Sequence, residues 1–421
     1  MFICVQFVVT ATTMVAFAAG SVPVRLDAQG LQRAGLTQYW EANLPLADGD
    51  AVRSGHLVDE ALYIATELGT LFSVTADVGL IRWGVKLSEW KDPLLKPTHV
   101  ATVDATGPVV VARKAAIQFI DRFTGDVVRR ITPPFAVGGG VIAIGANLFA
   151  GGLDGMFYSF DWWHATGERP IKLWELRTGG PVFAAPSIYD GDRLVFASRS
   201  GGVYSCKALD KTYLWSFRTG GSVVADPVVV DDAVYVASTD RSVYKLHAGT
   251  GELQWRLRLD RPLRTAPIVA ADTVFQPCEG RGLVAAESAT GREKWRCTGG
   301  TTLAAHLPRR DLVFTQGKFL KVVEHESGEV LLSIYTSPTS RVVPNARNDA
   351  VYLVEDNGHV TCLRSADVPY LHPRKVSAAT AVLTLPPARQ EEALRPNDNT
   401  PVPEGALSTD DPFRSRRDLG R

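Results

Sequence analysis

Eight histidines and five cysteines are the conventional raw material for a catalytic or metal site, and in this chain their spacing assembles none. The histidines at 56, 99, 164, 247, 306, 325, 359 and 372 form no His-x-His or His-Glu-x-x-His pattern, and the cysteines make no Cys-x-x-Cys. No Gly-x-Ser-x-Gly elbow or phosphate loop occurs. Glu324-His325-Glu326 is the densest titratable cluster. It stands just before a Ser-Gly turn and reads as a solvated hairpin end rather than a ligand set. What does recur is arginine in a fixed context: Leu176-Arg177-Thr178-Gly179-Gly180, Phe217-Arg218-Thr219-Gly220-Gly221 and Leu257-Arg258-Leu259-Asp260-Arg261.

That recurrence belongs to a longer one. Trp174, Trp215, Trp255 and Trp295 stand 41, 40 and 40 residues apart, and a fixed period of that size marks one structural unit stacked on copies of itself. Each copy reads as an apolar run, a turn, a second apolar run, a turn, an alternating run, a Thr-Gly turn and a last strand bearing the tryptophan. Four strands in about 40 residues is the pattern of a propeller blade. An apolar pair marks the second strand of each copy: Leu62-Tyr63, Val110-Val111, Leu148-Phe149, Val195-Phe196, Val234-Tyr235, Val274-Phe275, Val313-Phe314 and Val351-Tyr352. The eighth copy stops after its third strand, Val360 to Arg364, while Leu36 to Trp40 reads as a fourth strand lacking the first three. The sequence therefore predicts an all-β, eight-bladed β-propeller over residues 36–367. Four-stranded antiparallel blades would be closed by the N-terminal strand joining the last blade, which removes the open sheet edge. The alternative, seven blades, requires residues 83–130 to be something else.

On that fold the connections from each fourth strand to the next blade gather on one rim. The expected partner or ligand surface there comprises Arg177, Arg218 and Arg258, with Asp226, Arg264 and His306 just before or at the inner strands. Repeated arginines suit carboxylates, acidic peptide segments or an anionic ligand; the bland alternative is that each pairs with a neighbouring carboxylate or sits in water. The insertion Asp161-Trp162-Trp163-His164 lengthens one hairpin, and its aromatics read either as an exposed hot spot or as packing against the blade edge. Trp40, Trp83, Trp174, Trp215, Trp255 and Trp295 read as structural, wide indoles filling the wedge between twisted sheets.

The fourth-strand pattern resembles the quinoprotein-type, or PQQ-like, propeller repeat, whose tryptophan-docking motif runs Ala-x-Asp-x-x-Thr-Gly-x-x-x-Trp. Ala285 to Trp295 fits with one acidic exchange, and Lys245 to Trp255 keeps the turn and the tryptophan. The resemblance covers roughly residues 36–365 and implies the fold more strongly than an activity. It admits two kinds of function. Quinoprotein dehydrogenases hold pyrroloquinoline quinone and a metal over the central channel, often beside adjacent cysteines; this chain has no adjacent cysteines and lacks their large insertions. The branch similar to the outer-membrane assembly factor BamB is non-enzymatic and binds proteins, although the lipobox cysteine of those lipoproteins is missing here. The expectation is a non-catalytic scaffold for a protein or peptide partner, without a cofactor, in the form of a monomeric ring. A quinone-dependent oxidoreductase with calcium, or a propeller binding a small ligand in its channel, is the alternative.

Composition adds limits. Lys plus Arg equals Asp plus Glu at 45 each, so bulk charge favours neither nucleic acid nor anionic lipid. Residues 1–20 are apolar and end near the small-x-small site Ala16-Phe17-Ala18, which reads as a secretory signal despite lacking a charged start. An uncleaved anchor is the alternative, though Gln6 and interspersed threonines make a poor span. The expected location is periplasmic or at the cell envelope, with no membrane span in the mature chain. Cys206 and Cys362 fall on opposite sides of an eight-membered ring, and Cys278 and Cys297 on non-neighbouring strands, so unpaired thiols are expected. Residues 368–421, rich in proline and charge, read as a disordered tail or flexible tether.

Overall fold

A computed structural model describes residues 23–88, 92–102, 106–369 and 371–383; the expected signal, residues 1–20, and the tail beyond 383 lie outside them. Strands dominate, in consecutive four-stranded antiparallel meanders. In chain order the units begin at Val52–Val58, Thr98–Ala101, Ile142–Ile144, Ser187–Tyr189, Val228–Val230, Ile268–Ala270, Gly300–Leu307 and Arg341–Val343. The first seven end on outer strands Ile81–Lys86, Val127–Ile131, Ile171–Arg177, Tyr213–Arg218, Leu253–Arg258, Glu293–Cys297 and Val330–Tyr335. The second and third units, including the weak repeat at residues 83–130, are joined by parallel pairing of Val100 with Ala143 and Ala101 with Ile144. In the eighth unit the outer strand is Leu36–Asn43, antiparallel to His359–Ser365 with Leu36 opposite Ser365 and Asn43 opposite His359.

Burial explains the hydrophobic pattern. Second strands such as Ala61–Thr66 and Ala233–Ser238 are buried at every position, because both of their faces meet a neighbouring unit, so they read as unbroken apolar runs. Outer strands such as Tyr213–Arg218 alternate between exposed and covered positions. The core is a series of apolar layers between successive units. Val195, Val203, Trp215, Val234 and Leu246 join the fourth to the fifth. Trp40, Val354 and Val360 of the eighth unit pack with Leu62, Ile64 and Phe72 of the first.

The tryptophans bind these layers by one repeated contact. The indole Nε1 of Trp40 donates to the carbonyl of Ala76 (3.1 Å), Trp83 to Arg122 (3.0 Å), Trp174 to Ala208 (3.2 Å), Trp215 to Ala248 (2.7 Å), Trp255 to Ser288 (2.9 Å) and Trp295 to His325 (2.7 Å). Each acceptor opens the turn before the next unit's outer strand. The glycine of that turn has φ between 73° and 81° at Gly79, Gly125, Gly251 and Gly291. A Cβ on any of the four would come within 2.5–2.7 Å of the docked indole. Glycine is thus required twice, for its backbone angle and for the space above it. The fourth unit has Lys211 at this position with φ 61°, and the Trp174 facing that turn is only half-buried.

Two outer strands lack tryptophan. In the second unit the corresponding register position is Arg129, opposite Phe119 beyond the strand irregularity. Its guanidinium donates to the carbonyls of Ala165 and Gly167 (3.4 Å to the latter) and so bonds the next unit's turn as the indoles do. Trp162 comes back from that unit to stack on Phe119 at 3.8 Å. In the seventh unit the position is Leu332. There the chain's beginning supplies the cover: Val24–Arg25 pairs parallel with Ile334 and Tyr335, and helix α1 (Ala28–Arg33), capped by Asp27, buries Leu31 beside Leu332 and Leu363.

A second helix, α2 (Pro373–Leu383), corrects the expectation of a structureless segment from 368 onward. Leu371 packs on the layer between the eighth and first units, Lys375 pairs with Asp77 at 3.2 Å, and Pro373 sits at the first helical position where its missing N–H costs nothing. Among the described residues no helix is long and apolar enough to cross a membrane. Cys206, Cys278, Cys297 and Cys362 are free and buried, and burial pushes the Cys206 thiol up to about 12. The docking contact is testable through its glycine. Gly251→Ala is expected to cost about 1–3 kcal/mol in urea denaturation, whereas Lys211→Gly, relieving a left-handed side chain, should gain about 0.5–1 kcal/mol.

Candidate functional site

In an antiparallel meander the end of the outer strand lies at the same edge as the turn between the second and third strands. Hydrogen bonds fix this edge: Thr178 N–H donates to Gly155 O (3.0 Å), Thr219 N–H to Gly201 O (2.9 Å) and Leu259 N–H to Arg241 O (2.7 Å). Arg177, Arg218 and Arg258 are the residues just before these anchors, opposite Met156, Gly202 and Ser242. All three are exposed, and none has a hydrogen-bond or ion-pair partner among the described residues. The expected trio is therefore one arc on one rim, with Lys86 at the same position of the first unit.

The same rim carries more arginine than the trio suggested. Arg199, Arg241 and Arg281 stand in the second-to-third-strand turns, and Arg261 and Arg264 follow Arg258; all are exposed. Arg199 lies over the partly exposed ring of Phe183 at 5.9 Å. These turn arginines had a sequence signal, a basic residue beside the turn in three successive copies, which becomes meaningful only when the two sets of loops share an edge. Three carboxylates of the rim, Asp154, Asp240 and Asp260, are already engaged, while Glu279 beside Arg281 is exposed. Asp154 accepts from Tyr158 at 2.6 Å, and Asp260 is paired with Arg296. Burial works against the Asp240 carboxylate, but hydrogen bonds from Tyr244, Gly220 and Ser242 outweigh it and hold its carboxyl below the usual range.

Asp226 sits inward of this arc. It accepts from the Ala185 N–H at 2.7 Å and faces the Lys96 ammonium, from the lead-in to the second unit, at 4.0 Å. Desolvation raises its carboxyl, with Lys96 opposing. His56, on the first unit's inner strand, is also crowded by protein, and burial with the Lys96 ammonium pushes its imidazole down to about 4.

Three of the expected residues, His306, Trp162 and Trp163, are not on the rim. His306 lies at the far end of its inner strand, next to the turn that leads to Arg310–Thr315, and so on the opposite face. The structure divides the Trp162-Trp163 pair: Trp162 is 1% exposed, its Nε1 donating to Gly145 O at 2.8 Å, whereas Trp163 is 50% exposed, on the face opposite the arginines. Glu324-His325-Glu326 also departs from expectation, because its histidine is buried. His325 Nδ1 is 2.8 Å from Asp311 and Nε2 is 3.1 Å from Asp272. Burial opposes a charge there, but the two carboxylates outweigh it and raise the imidazole above its ordinary value. No local pattern announced this, since Asp272 belongs to the preceding unit.

With that geometry in place, comparison locates the chain among known proteins. Residues 162–368 match the family model described as outer membrane protein assembly factor BamB. Over that stretch the repeat is PQQ-like. The crystal structure of BamB from Moraxella catarrhalis superposes with a TM-score of 0.61 at 16% identity, covering 78% of this chain and 99% of that one. A crystal structure of the computationally designed Ika8 protein gives 0.58 at 14% identity, over 76% and 98% of the two chains. At such identities the likeness is one of fold. No curated protein matches the sequence.

Likeness to that repeat raises the question of a quinone with calcium, and Asp226, the carboxylate inward of the arc, does not fit that group. A calcium cage needs converging carboxylate and amide oxygens, but Asp226 faces an ammonium and a backbone N–H. Among the described residues three groups of His, Asp and Glu approach closely enough to share an ion, and none includes Asp226. His56 supplies a test of the hub's electrostatics. Because its folded value is depressed, the unfolded chain takes the proton first, so stability is lost as pH falls from about 6.5 toward 4. His56→Gln should flatten that part of the curve of urea midpoint against pH.

Proposed function

We propose that this chain is a non-catalytic, extracytoplasmic propeller scaffold that binds an acidic segment of a protein partner along its arginine rim. One observation carries the reading: Arg177, Arg218 and Arg258 occupy one register position in three successive units, exposed and, among the described residues, unpaired, while Asp154, Asp240 and Asp260 on the same rim are engaged. Surface arginine holding no intramolecular carboxylate is free to take one from outside, bidentately. Overall neutrality makes this a local field rather than a general affinity for polyanions.

The platform in this reading is a closed ring of eight blades. The apolar layer shared by the first and eighth units and the pairing of Leu36–Asn43 with His359–Ser365 support closure. A ring holds the arginines at fixed spacing, so little ordering entropy is lost when a partner docks. Similarity to an assembly-factor family supports a protein partner and an envelope location, and the apolar start of the chain supports export.

Fluorescence anisotropy with a labelled Asp/Glu-rich peptide tests the rim. The protein is expected to bind at low salt and to release the peptide as salt rises. The triple variant Arg177→Glu, Arg218→Glu, Arg258→Glu should bind about tenfold or more weakly, while reversal of Arg169 and Arg292, exposed in third-to-fourth-strand turns on the opposite edge, should change little. Equal binding by wild type and triple variant would end the proposal. Export makes a separate prediction: N-terminal sequencing of the protein from the cell envelope should begin near Ala19, after Ala16-Phe17-Ala18.

A further inference from the structure

We propose that His306, Asp311 and His325 form a zinc-type divalent metal site on the face opposite the arginine rim. The three come from separate segments: the end of Gly300–Leu307, the start of Arg310–Thr315, and the turn after Phe319–Glu324. Their donor atoms all lie within 4.8 Å of one another. His306 Nδ1 is 2.8 Å from Asp311 Oδ1, and His325 Nδ1 is 2.8 Å from Asp311 Oδ2. Two imidazole nitrogens and a carboxylate are a donor set suited to zinc, with the fourth position left for water or an outside ligand.

Burial and charge single out this cluster. The Asp311 side chain is fully buried, and no Lys or Arg is ion-paired with it among the described residues. A buried carboxylate needs a cation, and among the described residues its ion-pair partners are the two histidines, whose nitrogens can carry either a proton or a metal ion. In the other groups that role is filled: Asp59 is paired with Arg347 at 2.7 Å, Glu60 with Arg122 at 2.5 Å, and Asp272 and Glu326 with Lys294 at 3.1 and 3.3 Å.

The surroundings fit a ligating histidine. His325 Nε2 faces Asp272 Oδ1 at 3.1 Å and Thr273 Oγ1 at 3.3 Å. A carboxylate on the far nitrogen fixes the tautomer that leaves Nδ1 free for a metal and orients the ring. Lys294 pairs with the other oxygen of Asp272, Oδ2, at 3.1 Å and, among the described residues, makes no bond to Asp311 or His306. His306 is 24% exposed and gives the ion a path inward from solvent. A bound ion would tie the seventh unit to the sixth through His325 and Asp272.

The test is cobalt titration of the EDTA-treated full chain, prepared without a histidine tag. One equivalent of Co²⁺ should give visible d–d bands of tetrahedral strength, displaced by Zn²⁺ with low-micromolar or tighter affinity, and Zn²⁺ should raise the melting temperature. Asp311→Asn should lose the bands. Because that change is buried, His306→Ala, at a partly exposed position, serves as the second variant and should weaken cobalt binding at least tenfold. Asp59→Asn should leave it unchanged. Absence of bands and of a zinc-dependent thermal shift in the folded wild type would overturn the site, as would undiminished binding in folded His306→Ala.

Discussion

Adjacent sheets in this molecule are held by an indole lying on a glycine and donating to a carbonyl of the same turn. The contact combines a wide apolar surface, which fills the wedge opened by sheet twist, with one hydrogen bond that satisfies the indole's polar atom. It also makes demands on the partner. The turn must present a bare backbone at positive φ, which is why Gly251 and Gly291 recur with their tryptophans from the preceding unit. Where Lys211 replaces glycine, the backbone keeps its angle but the tryptophan facing it stays half-buried.

Departures from the rule show what it does. Arg129 keeps the donor without the indole, and Trp162 returns the lost aromatic surface from the other side of the interface. At Leu332 neither is present, and the segment Val24–Arg33 covers the seam instead. Three chemically different devices serve one geometric need. The constraint is the filled wedge rather than any single residue type.

The same repetition that builds the fold builds the rim. A register fixed by strand pairing places Arg177, Arg218 and Arg258 at equivalent points, and the antiparallel meander brings the turn arginines to the same edge. Charge of one sign is gathered locally although the chain as a whole is neutral. The opposite face is organised differently, around buried Asp311 and the histidines that meet it. One face leaves arginine side chains exposed to solvent, while the other holds the Asp311 cluster inside the interface between units.

By itself the sequence determined what depends on period and local pattern: four strands per copy, the glycine turns, the docking tryptophans, the pairing of residues near 40 with those near 360, and the edge on which Arg177, Arg218 and Arg258 lie. These follow from alternation and spacing within about 40 residues, which one chain displays directly. Tertiary structure decided what depends on the neighbour across an interface. It buried His325 between Asp272 and Asp311, moved His306 to the face opposite the arginines, buried Trp162 while leaving Trp163 half-exposed, and set Arg129 in an indole's place. Those partners lie outside the copy that contains the residue, or across a turn whose direction no local pattern encodes. Only packing of one sheet on the next supplies the missing coordinate.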